Sequence, residues 1–279
     1  MSSRSWGSRS VSNPFLVTSS FLLGLVVGSF CNVCIHRLPQ GESIVIPRSR
    51  CPNCRTSIKA HDNIPVLSFL LLRRQCRSCG HRISWQYPVV ELLTGSLFAL
   101  TIFRFGLSWH TGILWAFVAA LVIVTFIDLE HQIVPDVITL PGIAVGLTWS
   151  VLAALLLTND HGAPLSFSPP TPLDALLGML VGGGILYLVA VFSRGGMGGG
   201  DIKLTAMVGA LLGWRAALLT IFLGTLSGSV IALVLLASGK KSRKDPMPFG
   251  PFLALGAVLA LFWGEELIAG YLRLVRWGL

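Results

Sequence analysis

The sequence predicts an all-α protein that crosses a membrane about eight times and carries one small polar insert. Three observations make that prediction. Of 279 residues, 53% are hydrophobic and only 12% are charged, about half the ~25% of an ordinary soluble domain. The mean hydropathy is +0.75. The apolar residues gather into runs of membrane-spanning length, and the charges gather between them.

The runs fall at roughly 15–35, 88–106, 110–128, 136–157, 173–193, 202–214, 215–237 and 248–272. Each is long enough to cross a bilayer as a helix except the sixth. That one is short and rests on Gly213-Trp214 as its turn. The first run resembles a signal peptide, because Arg4 and Arg9 precede Phe15–Phe30. No small-x-small cleavage site follows it, so the segment is read as a retained first span. The organisation predicted is 1–35 for the N-terminal tail and first span, 36–87 for the insert, and 88–279 for a membrane core.

The formal charge of +9 does not imply a nucleic-acid partner, because the basic residues sit beside the spans. Nine Lys/Arg lie between His36 and Pro88, opposed only by Glu42 and Asp62. More follow in Lys240-Lys241-Ser242-Arg243-Lys244. Alternating spans put 36–87, 129–135, 194–201 and 238–247 on one side. That side holds both basic clusters, so the positive-inside rule makes it cytoplasmic. The opposite loop Thr158–Pro172 has Asp160 and no Lys or Arg. The partner implied is the lipid bilayer, whose anionic headgroups suit these loops.

Within the insert, Cys51-Pro-Asn-Cys54 and Cys76-Arg-Ser-Cys79 form two C-x2-C knuckles. Four thiolates at this spacing suit tetrahedral Zn2+, and a reducing compartment disfavours disulfides. The insert is too short for a core of its own, so metal would supply folding energy. Four protein ligands close the site, which makes the zinc structural; redox pairing is the alternative. His81 is read as a surface residue. Cys31 and Cys34 repeat the spacing inside an apolar run, where they are read as packing residues.

Two carboxylates stand at membrane boundaries. Asp128 ends the third run, and Asp201 follows the glycine loop Gly196-Met-Gly-Gly-Gly. An acidic group at such depth is costly and is a functional candidate by default. The topology brings a helix down to Asp128 and sends one up from Asp201 on the same side. Held together, the two share one proton. The ionised member can activate water and the protonated one can polarise a carbonyl. Gly198 and Gly200 give a loop that lets a substrate backbone approach. The competing reading makes Asp128 an interfacial charge and Asp201 an N-cap. Asp136 is read as a helix cap, His131 as interfacial, and Lys203 as a snorkelling charge or a tuner of the pair.

Together these residues resemble the type IV prepilin leader peptidase/N-methyltransferase family, which are GxGD-type intramembrane aspartic proteases. The resemblance runs from about Gly24 to Tyr271. It is carried in order by Gly28-Ser-Phe-Cys-Asn-Val-Cys-Ile-His-Arg-Leu-Pro39, the two knuckles with Asn63-Ile-Pro65 between them, and Tyr87-Pro-Val-Val-Glu91. Then come Asp128-Leu-Glu-His-Gln-Ile-Val-Pro-Asp136, Gly196-Met-Gly-Gly-Gly-Asp-Ile-Lys203 and Pro248-Phe-Gly-Pro251. Cys31 and Cys34 depart from the family's usual apolar residues, and the loop Thr158–Pro172 is longer than typical.

The resemblance implies that Asp128 and Asp201 are the catalytic pair. It implies that the enzyme sits in the cytoplasmic (inner) membrane with its site facing the cytoplasm. Its substrates would be type IV prepilin or pseudopilin precursors, cut after a glycine to release a short basic leader. It also implies methylation of the new N-terminus with S-adenosylmethionine. Residues 36–87 show no G-x-G-type cofactor loop. The alternatives are a leader peptidase without methyltransferase activity, a proton-coupled transporter, and a non-catalytic assembly factor.

Overall fold

The structure, a computed structural model, describes residues 13–156, 168–193, 197–240, 242 and 247–277. Their regular structure is helical, apart from two isolated β-bridges, Arg50 with Ser57 and Gln75 with Arg82. The helices are α1 (Pro14–Arg37), the short α2 (Leu67–Leu71), α3 (Gln86–Phe105), α4 (Thr111–His131) and α5 (Asp136–Leu156). They continue with α6 (Pro172–Phe192), α7 (Gly199–Leu212), α8 (Trp214–Ala237) and α9 (Gly250–Trp277). Arg4, Arg9, Gly196, Lys241, Arg243, Lys244 and most of the loop Thr158–Pro172 lie outside the described residues.

All eight predicted apolar runs are helices. Among the described residues, seven are long and apolar enough to cross a membrane, which makes this a multi-pass membrane protein. The exception is the sixth run. Its helix, α7, has 14 residues, or about 21 Å at the α-helical rise, against a hydrocarbon core of ~30 Å.

Local chemistry sets several of the helix ends. Thr171 caps α6: its hydroxyl oxygen accepts the Asp174 N–H at 3.1 Å, and Pro172 follows at the first helical position. Gly213, at φ 85°, separates α7 from α8 and places its N–H on the Gly209 carbonyl. That left-handed φ suits glycine, so the predicted Gly213-Trp214 turn forms where the sequence indicated.

The chain divides into two compact units. One contains α1, the cysteine insert, α2, α3 and α4 as far as Val122. Here α1 and α3 meet through small residues. A Cβ on Gly24 would stand 2.7 Å from the Gly95 Cα, and one on Gly28 would stand 2.6 Å from the Glu91 Cα. Such close approach is how apolar helices associate where lipid supplies no hydrophobic drive. The Trp115 ring stacks on Phe98 at 4.9 Å, and its Nε1 donates to the Phe98 carbonyl at 3.2 Å.

The other unit runs from Ile123 through α5 and from Ser168 onward. Its centre is α7, in which Leu204 through Leu211 are all buried. The backbones of α6 and α7 touch where Gly178 meets Gly209 and Gly182 meets Thr205. On another side, α5 packs Gly146 against Ala210. In the same unit α8 and α9 approach through Gly224 against Leu253 and Gly256 against Thr220. A short helix enclosed on every side can carry a carboxylate at its first turn without exposing it to lipid.

Candidate active site and metal centre

Asp128 lies in the last turn of α4 and is 5% exposed; Asp201 is in the first turn of α7 and is 9% exposed. Both line one pocket of about 530 Å³, together with Gln132, Gly198, Thr225, Ser229 and Phe249. They are close enough for their charges to interact. The two carboxylates that the sequence places 73 positions apart therefore share one cavity.

Their surroundings differ. Asp128 Oδ2 accepts the backbone N–H of Gly250 at 2.8 Å. Gly250 is the first residue of α9, so the positive end of that helix faces the carboxylate. Among the described residues no hydrogen bond reaches the Asp201 carboxylate, although the Asp201 N–H donates to the Gly198 carbonyl at 3.2 Å.

The two loop glycines have different tasks. Gly198 is the N-cap of α7 and lines the pocket. Gly200 is packed against the turn between α4 and α5, where a Cβ would stand 2.6 Å from Val134 Cβ. The close approach that its missing side chain permits is to the protein's own turn.

Sequence reasoning missed Gly250 as part of the site. It took Pro248-Phe-Gly-Pro251 as one of the motifs that carry the family resemblance, at the start of the last apolar run, and gave Gly250 no role in the site. The available signal was a glycine at the start of a helix whose flanking prolines fix the entry of the chain. Thr225, Ser229 and Phe249 were also missed, because hydropathy does not separate a pocket wall from a lipid-facing surface.

The neighbours of the pair resolve as follows. Asp136 begins α5 and receives Lys203 Nζ on both carboxylate oxygens at 2.7 Å. Lys203 is thus an ion-pair partner rather than a lone snorkelling charge. Glu130 and His131 sit half-exposed beside each other, with His131 Nε2 at 3.8 Å from Glu130 Oε2. Glu91 is buried in the other unit and accepts the Val66 N–H at 2.7 Å.

The four cysteines of the insert converge. Their sulfurs all lie within 4.8 Å of one another, so the cluster could hold a metal ion. Each knuckle closes with a backbone bond, Arg55 N–H to the Cys51 carbonyl and Gly80 N–H to the Cys76 carbonyl, both at 2.9 Å. The residues after the second cysteine of each pair, Arg55 and Gly80, share a left-handed φ of 57° and 70°. Cys51 Sγ and Cys79 Sγ stand 3.8 Å apart. A tetrahedron with ~2.3 Å metal–sulfur bonds has edges of about 3.8 Å, so the donor set fits zinc.

Hydrogen bonds from Thr56 bring the Cys54 thiol down to about 6. Backbone N–H groups of Ser78 and Cys79 lower that of Cys76, while burial pushes Cys51 up to about 11. His81 is exposed and outside the cluster. Cys31 and Cys34 are buried within α1, in keeping with packing residues.

Residues 22–105 match the family described as Bacterial Peptidase A24 N-terminal domain, and residues 115–233 match the Type IV leader peptidase family. The four cysteines fall in the first match and both aspartates in the second. The chain is 37% identical to a "Prepilin leader peptidase/N-methyltransferase" of Stutzerimonas stutzeri, over 95% of this chain and 97% of that protein. Proteins of the same name from Pseudomonas aeruginosa and Bacillus subtilis are each 35% identical. They cover 92% and 91% of this chain, and the matches span 93% and 97% of their own lengths. No solved structure matches the chain.

Proposed function

The chain belongs to the type IV leader peptidase family, and on that premise we propose that it cleaves the leader from type IV prepilins or pseudopilins with Asp128 and Asp201. The observation that carries this reading is the shared pocket of the two aspartates. In it a water has one carboxylate to deprotonate it and a second carboxyl to polarise the peptide carbonyl.

Asp128, already accepting the Gly250 N–H, acts as the base. Asp201 keeps the proton and hydrogen-bonds the carbonyl oxygen. Attack of water forms the C–O bond as one of its protons passes to Asp128 and the Asp201 proton moves to the carbonyl oxygen, which leaves a tetrahedral diol. Collapse then breaks the C–N bond, and the leaving amine takes up a proton from the pair. No acyl-enzyme forms. The substrate is itself an apolar helix with a basic leader, and a glycine before the scissile bond leaves the peptide unhindered.

The site faces the cytoplasm, the orientation that the positive-inside rule favours for this charge pattern. The basic segment 36–87 acts as a zinc-binding domain, with the peptidase core in 88–279. Cys51, Cys54, Cys76 and Cys79 hold a structural Zn2+, which ties together a segment too small to build its own core. The second activity, N-methylation of the new terminus with S-adenosylmethionine, rests on the name its relatives carry. No residue here is assigned to the methyl donor, and no step is derived through it.

The test is processing of a prepilin in membranes by wild type, Asp128→Asn and Asp201→Asn, each checked for folding. Loss of the leader with wild type alone is expected. Equal processing by all three would remove the aspartates from the chemistry. Mass spectrometry of the mature N-terminus reads the second activity, and an unmethylated amine would leave a peptidase alone.

A further inference from the structure

Asp201 stands on a helix that begins directly after a glycine-rich loop, and no hydrogen bond holds its carboxylate among the described residues. Its distance from Asp128 must be set from outside its own side chain. The turn between α4 and α5 reaches both residues. At one end it continues the helix of Asp128, with the Gln132 N–H bonded to the Asp128 carbonyl at 2.9 Å. At the other end it grips α7 on either side of Asp201. Val134 fills the space beside Gly200, one residue before Asp201. Asp136 takes Lys203, two residues after it, on both oxygens at 2.7 Å.

Residues two apart on an α-helix point to nearly opposite sides. Asp201 lines the pocket, whereas Lys203 and Asp136 do not. Lys203 therefore acts through α7 and does not touch a substrate in the pocket. The side chains of the pair are 39% and 55% exposed, and an ion pair so exposed adds little to global stability. What it can do is choose one position for a helix start that glycines leave free.

We propose that Asp136 and Lys203 are a positioning pair that fixes Asp201 at working distance from Asp128, with Val134 against Gly200 as the stop. This rests on the reading of the two aspartates as the catalytic pair. Asp136→Asn and Lys203→Met should lower kcat for prepilin cleavage roughly ten- to a hundredfold, the scale of a small misplacement of a reacting group. KM and Tm should stay at wild-type values. The exchanged double variant, Asp136→Lys with Lys203→Asp, should recover most of the rate.

A second measurement does not need activity. Asp128→Cys and Asp201→Cys are introduced together, and their linkage by a short bis-methanethiosulfonate reagent is followed by mass spectrometry. Linkage should slow on adding Asp136→Asn and recover in the exchanged background. Unchanged kcat in the single variants, or unchanged linkage, would overturn the proposal. A fall in Tm with normal kcat in the folded fraction would reduce the pair to a structural staple and overturn it equally. If Asp201→Asn processed prepilin like wild type, the catalytic reading would fall, and the linkage rates would still decide whether the pair sets the separation.

Discussion

Gly250 donates its backbone N–H to Asp128 Oδ2 at 2.8 Å across 122 positions of sequence. The contact needs glycine. A Cβ at this position would also stand 2.8 Å from Oδ2 and 3.1 Å from the carboxylate carbon, inside ordinary contact distance. Both the donor and the space belong to the same residue.

Gly250→Ala should therefore push the Asp128 carboxylate aside while leaving α9 helical, since alanine favours the helix by ~1 kcal/mol over glycine. The expected result is a loss of prepilin cleavage of at least roughly tenfold with a normal thermal transition in detergent. Wild-type turnover in this variant would remove the α9 terminus from the site.

A pair in which one carboxyl is ionised and the other protonated has a rate that falls on both sides of an optimum. Cleavage should follow a bell-shaped pH profile. Asp128→Asn and Asp201→Asn should each lose about 10²–10⁴-fold, the range for one general acid or base. A rate independent of pH from acid to neutral, with substrate release excluded by single-turnover measurement, would contradict the shared proton.

The parts of this molecule that were legible in the sequence are those whose chemistry fixes short spacings. Two C-x2-C knuckles announce four sulfurs around one point, and a carboxylate after a glycine loop at a membrane edge is too costly to be idle. What was not legible is which apolar faces are inside. Leu204 is fully buried at the centre of one unit, and Leu233 is 66% exposed on α8. Hydropathy treats them alike, because lipid is as apolar as a protein core. For the same reason the shortness of α7 could be read from the sequence, but its central position could not. The Gly250–Asp128 bond was hidden for a different reason: the donor is a backbone group, and no residue type marks it.

The enclosure of α7 gives a stability prediction. Gly178 and Gly209 bring two backbones into contact, and neither backbone can move aside as a flexible side chain would. Gly209→Leu should destabilise the protein by about 1–3 kcal/mol or more. Gly184 lies on α6 with nothing near its would-be Cβ, so Gly184→Leu serves as the matched control. Thermal unfolding in detergent should separate the two variants. Equal transitions would mean that α6 and α7 are not packed as described.

In the insert, Asp62 is gripped by Arg77, whose Nη2 and Nε donate to it at 2.6 and 2.9 Å. That contact holds the Asp62 carboxyl below its usual value. The sign follows from the depression: the contribution is complete above the ordinary carboxylate range of ~4 and is lost as pH falls through the lower folded value. The gap in unfolding midpoint between wild type and Asp62→Asn should thus be constant from pH 5 to 8. It should close only in stronger acid. A gap that opened or closed near neutrality would show that another group controls it.

Arg77 lies between Cys76 and Cys79, so the same contact braces the second knuckle, and a bound metal should stabilise the insert far more. Structural zinc in small domains is worth ~10–16 kcal/mol at neutral pH, well beyond an exposed ion pair. Chelation or Cys76→Ser should release zinc, measured by elemental analysis, and open residues 50–82 to limited proteolysis. A metal held by all four sulfurs would have no open position for water, so it would contribute no step to peptide hydrolysis. Any fall in cleavage should therefore track the fraction of protein still folded. A metal-free enzyme that resisted protease and cut prepilin at the normal rate would show that the four cysteines hold the insert without an ion.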